Sequence, residues 1–184
     1  MRHVVRFVLL AFLVVSAGAK ETPLELVAKY MPIDSVTNKP TYTEVVGVDG
    51  VPASELYSRA KLWIANTYKS AEAVIDMDDK DTSTIIARGT FAIKYLTGSW
   101  DIRHSITISA KDGRYKYTIN RIGVVQEATF IKGIGAVPAY DEDIDAMPKQ
   151  MEKVYERINA GVQEIIASLR AAMIAPTPGT ASDW

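Results

Sequence analysis

The sequence predicts a two-layer α+β domain in the order β-α-β4-α, a curved antiparallel sheet with both helices on one face. Three observations carry this. Residues 102–110 and 115–119 alternate apolar and polar side chains, the pattern of strands with one covered and one wet face. Asp112-Gly113 stands between the two runs as a hairpin turn. An apolar stripe at helical spacing runs from Met151 through Tyr155, Ile158, Val162 and Leu169 to Met173 and supplies the cover.

Each element follows from its own residues. Thr41 to Val48 is rich in β-branched residues and reads as the first strand. Asp49-Gly50-Val51-Pro52 turns the chain, and Ser54 is the expected N-cap of a helix to Tyr68 with Leu56, Ala60, Trp63 and Ile64 on its apolar side. Ala73 to Asp78 reads as strand two, and Asp79-Lys80-Asp81 turns it into strand three at Thr84 to Ile93. After Leu96-Thr97-Gly98-Ser99, strands four and five follow as the alternating hairpin. Gln126 to Asp145 shows no regular pattern. The closing helix spans about Ala146 to Met173, with Pro148 in its first turn, where a missing N–H costs nothing.

Residues 1–19 read as a secretory signal peptide. Arg2 and Arg6 open it, an apolar run of nine from Phe7 to Val15 follows, and Ala17 and Ala19 form an A-x-A site. Nine apolar residues fall short of the roughly 20 that cross a bilayer, so cleavage after Ala19 with no remaining span is expected. Without Arg2 and Arg6, the 21 basic residues become nineteen against 22 acidic ones, a net charge of −3 instead of −1. Residues 20–40, with Pro23, Pro32 and Pro40, are an ordered lead-in to a domain at 41–174, and 175–184 form a Pro/Gly/Ser/Thr tail expected to be disordered.

Composition closes several chemistries. There is no cysteine, hence no disulfide, thiolate metal site or cysteine nucleophile. His3 leaves with the signal, so His104 is the one histidine of the mature chain and paired-imidazole sites are excluded. No G-x-S-x-G occurs, and Gly133-Ile134-Gly135 is followed by Pro138 rather than a nucleotide-loop lysine.

Residues 54–63 (SELYSRAKLW), 71–78, 84–89 (TIIARG) and 111–117 (KDGRYKY) together resemble a bacterial family of exported proteins, the domain-of-unknown-function family 4468 with a TATA-binding-protein-like fold. The likeness covers about Thr41 to Thr129. It implies the same β-α-β4-α order and brings no activity, cofactor or catalytic residue.

The wet parity of strands three to five is the most informative surface. It carries Arg88, Lys94, Arg103, Lys111, Arg114 and Lys116 among Ser and Thr, with no carboxylate in those stretches. Such a face suits an anionic ligand or acidic partner of the cell envelope; equally, it is the charge that keeps sheets from aggregating. It shows no apolar wedges of the kind that kink DNA, so nucleic acid is not expected. No cofactor is expected. His104 falls on the apolar parity, as a buried neutral imidazole bonded to backbone or a tyrosine. Asp141, Asp143, Asp145 and Glu152 match the spacing of a calcium loop, but Ala146 stands where its turn needs glycine and Pro148 interrupts it. Acids before a helix are also favoured by its dipole. Two other functions remain open: a carboxylate-based hydrolase or transferase using Asp76 and Asp78, and a scaffold that dimerises through the last helix.

Overall fold

The computed structural model describes residues 22–68, 74–95, 98–126, 129–131, 135–137, 139–144 and 152–175. The signal sequence, the tail from Pro176 and Pro148 lie outside the described residues. Elements run α1 (Pro23–Ala28), β1 (Tyr42–Gly47), α2 (Ala53–Thr67), β2 (Val74–Asp79), β3 (Thr84–Tyr95), β4 (Gly98–Lys111), β5 (Arg114–Gln126), β6 (Thr129–Ile131), β7 (Gly135–Val137), β8 (Tyr140–Asp143) and α3 (Glu152–Ile174).

The sheet is antiparallel with order β1-β5-β4-β3-β2, and β8 joins it as a sixth strand beside β5. Lys111 pairs with Arg114 across Asp112-Gly113, and Gly113 takes the left-handed φ of +71° that a side chain would resist. From this turn the alternation reads out as expected. Ile102, Ile106 and Ile108 of β4 and Tyr115, Tyr117 and Ile119 of β5 are buried under α2 and α3. Both helices therefore lie on one face, and the fold is the α+β class that the alternation predicts.

Three local departures have physical causes. First, α2 begins at Ala53, one residue before the expected Ser54 cap. Pro52 holds the cap position without a side-chain bond, and Asp112 of the β4–β5 turn accepts from Ala53 N–H at 2.8 Å. A cap borrowed across 59 residues leaves no local signature. Secondly, the lead-in contributes to the core. Thr22 and Glu25 form a capping box on α1, Leu26, Val27 and Met31 are buried, and Tyr30 stacks on Tyr155 at 6.1 Å. Thirdly, the stretch after Gln126 holds a small β6–β7 ladder and the edge strand β8, although its composition shows no period.

The stripe on α3 is used up by this core. Val154, Tyr155, Ile158, Val162, Leu169 and Met173 have essentially no exposed surface, so dimerisation through that stripe has no surface to act with. Arg59 of α2 secures the helix's far end: its Nη1 donates to the Met173 carbonyl at 2.6 Å and its Nη2 to Glu55 at 2.5 Å. Truncating Leu169 to alanine removes a fully buried side chain of α3 from the core. It is expected to cost about 2–5 kcal/mol in a urea unfolding titration, with an unchanged denaturant slope.

Candidate functional site

The face opposite the helices carries all six expected cations, but the fold sorts them into three groups. Arg88 on β3 is paired with Asp76 of the neighbouring β2, its Nε and Nη2 donating to Asp76 at 2.9 and 2.6 Å. Arg103 on β4 is bound by Asp141 and Asp143 of β8. Lys94 pairs in register with Ser99, twelve residues along β4 from Lys111, or about 40 Å of strand. Only Lys111, Arg114 and Lys116 sit together, around the hairpin end, where Lys111 faces Arg114 and Lys116 lies between Ser109 and Val45. They are exposed and make no ion pair among the described residues. With Val45, Ser109 and Tyr115 they line a shallow cleft of about 290 Å³.

The expectation that strands three to five present this face without a carboxylate is thus corrected. β4 starts at Gly98, so Asp101 shares the open parity, and β2 and β8 bring further carboxylates in from either side. Neighbouring strands decide surface charge, and strand order is not a local property.

Arg103 acts as a clasp. Besides its two aspartates, its Nη1 donates to the Arg121 carbonyl at 2.7 Å, and its guanidinium lies over Gly123, where an added Cβ would meet it at 2.6 Å. Arg121 and Ile122 face the single residue His104 in a bulge, with Arg121 at φ +52°. Beyond it, β5 exchanges its edge partner β1 for β8. The acids that invited a calcium reading are therefore partly an edge strand engaged with an arginine; Asp145 lies outside the described residues. Arg103 holds Asp143 below the ordinary carboxylate range by hydrogen bonding.

Residues 42–124 match the family described as "Domain of unknown function (DUF4468) with TBP-like fold". This segment is similar to that family. The match runs from the start of β1 to just past the β5 bulge, so β8 and α3 lie beyond it. A crystal structure of a TBP-like protein from Parabacteroides distasonis ATCC 8503 is similar at a TM-score of 0.65 and 14% identity, covering 79% of this chain and 98% of that one. A DUF4468 family protein from Bacteroides ovatus ATCC 8483 is similar at 0.59 and 13%, covering 82% of this chain and 96% of that one. At such identities the likeness is one of fold. No curated protein matches this chain.

Within the DUF4468 segment, the two acids that could serve an acid–base enzyme are already committed. Asp76 accepts from Arg88, while Asp78 accepts from Lys61 and the Tyr57 hydroxyl, which hold it below its usual pKa. A general acid needs the opposite shift. Two groups escaped the sequence reading. Lys39 and Arg121 line a cleft of about 400 Å³ between β1 and β8. The available signal was the apolar spacing 115, 117, 119, 122, 124, whose single step of three marks the bulge.

His104 is 2% exposed and lies opposite Gly89. Its Nε2 shares a hydrogen bond of 2.7 Å with the Tyr68 hydroxyl, as the apolar parity suggested, and Tyr68 crosses β3 where a Cβ on Gly89 would meet its ring at 2.4 Å. Burial pushes the imidazole down to about 4, so the folded protein keeps it neutral. As pH falls through 6.5 the unfolded chain takes up a proton that the folded one refuses. The pair is therefore expected to withdraw about 3 kcal/mol of stability between pH 6.5 and 4, with no further loss from this group below that. Urea midpoints measured across that window check this: His104→Gln should flatten the dependence there and leave untouched the steeper acid limb below pH 4, where carboxylates titrate.

Proposed function

We propose that the protein is an exported, non-enzymatic binding module of the cell envelope, which takes an anionic partner at the hairpin end of its open sheet face. One observation carries the reading: Lys111, Arg114 and Lys116 stand together without a carboxylate partner among the described residues, in a chain whose acids outnumber its bases. Elsewhere on the face the fold matches Arg88 and Arg103 to aspartates. Leaving three cations unmatched costs self-repulsion, which an anion would relieve. Ser109 adds a hydroxyl and Val45, 58% exposed, an apolar contact, so the cluster suits a phosphate-bearing glycan, a lipid headgroup or an acidic protein. Nucleic acid is not the partner we favour, and the name of the fold adds nothing to that question, because function resides in sites rather than folds. No described helix is long and apolar enough to cross a membrane.

The reading has two tests. Retention of the protein on an immobilised polyphosphate column should fall steeply with salt. Charge reversal at Lys111 and Lys116 together should abolish it, whereas reversal of Lys94 should leave it nearly unchanged; equal retention of the hairpin variant overturns the proposal. Export is checked separately: intact mass spectrometry of the protein from an expressing bacterial host is expected to show a chain beginning at Lys20.

A further inference from the structure

We propose that the gap between β1 and β8 is a second binding site, for the carboxylate of a small monoanionic ligand gripped by the Arg121 guanidinium. It is independent of the hairpin cluster. The gap arises because β5 changes its edge partner: Ile119 pairs with Tyr42 of β1 and Gly123 with Asp143 of β8, so residues 120–122 have neither strand beside them. The resulting cleft of about 400 Å³ falls in the range of small-molecule sites. Pro40 and Ile122, both buried, give it apolar surface, and Lys39, Asn120, Arg121 and Asp143 give it polar groups.

Charge matching selects the ligand. Asp143 is shared by Arg103 and Lys39, with Lys39 at 3.4 Å, and Asp141 is taken by Arg103. Both aspartates are thus already held by cations. Arg121 adds a third positive charge and is exposed without an ion-pair partner among the described residues. A single surplus charge on a planar fork of donors fits one planar carboxylate; a dianionic phosphate would bring a second charge with nothing to meet it.

The backbone points the same way. Arg121 stands at φ +52°, where glycine is free of the steric cost that arginine bears. The bulge does not need this side chain, because Arg103 grips the Arg121 carbonyl. A strained arginine at an exposed bulge, dispensable for the bulge itself, is the mark of a side chain placed for a ligand.

The test is a titration followed by backbone amide and arginine Nε–H resonances, with acetate and N-acetylglycine as probes and N-acetylglycinamide and inorganic phosphate as comparators. Both carboxylates should give saturable shifts centred on Arg121 and Ile122, the neutral amide none, and phosphate weaker ones. Arg121→Gly should keep or raise the melting temperature and weaken N-acetylglycine binding by at least about tenfold; Arg121→Asn, which also tolerates the left-handed backbone, should do the same if the glycine variant folds poorly. Absence of saturable shifts, binding that survives both variants, or phosphate binding as tightly as the carboxylates overturns the proposal. Acetate binding without N-acetylglycine binding overturns the assignment of the whole cleft to the ligand.

Discussion

The register of the β4–β5 hairpin is the constraint on which the rest of the molecule depends. With Lys111 opposite Arg114, the isoleucines of β4 and the tyrosines of β5 all turn toward the helices. A slip of one residue would carry the entire apolar set to the wet face and the cations into the core, which is why a turn with one left-handed glycine can hold it. The same turn reaches further, since its aspartate caps α2 and its Gly113 N–H donates to the Val51 carbonyl at 2.9 Å. Sheet register and helix placement are therefore set at one point.

The second organising feature is the bulge at Arg121. It lets β5 serve two edge partners in succession, and it keeps Ile122 and Val124 buried after the alternation has shifted by one. Arg103 stabilises this by gathering the bulge carbonyl and two β8 aspartates on one guanidinium. A residue that looks from its parity like part of a binding face is thus largely a fastener between strands. The cations that the fold leaves unmatched lie instead at the hairpin end and in the gap between β1 and β8.

This division also explains why a net-acidic chain can present basic patches. Three of the aspartates lie on short or edge strands, where they neutralise arginines in place, and another is consumed as a helix cap. Total charge says little about such a surface; what matters is which carboxylates the topology carries to which cations.

Periodicity alone determined the fold class, the two faces of the sheet, the helical cover and the buried state of His104, because period two and period 3.6 are properties of consecutive residues and the hydrophobic effect acts on them directly. The step of three from Ile119 to Ile122 carries a signal of the bulge too, one that the expectations above did not use. Tertiary structure alone decided that Arg88 and Arg103 are paired while Lys111, Arg114 and Lys116 are not, that Asp112 caps a helix 59 residues away, and that β8 completes the sheet. Those outcomes depend on which segments become neighbours across space, and a short acidic strand such as Tyr140–Asp143 has no apolar period to announce its place.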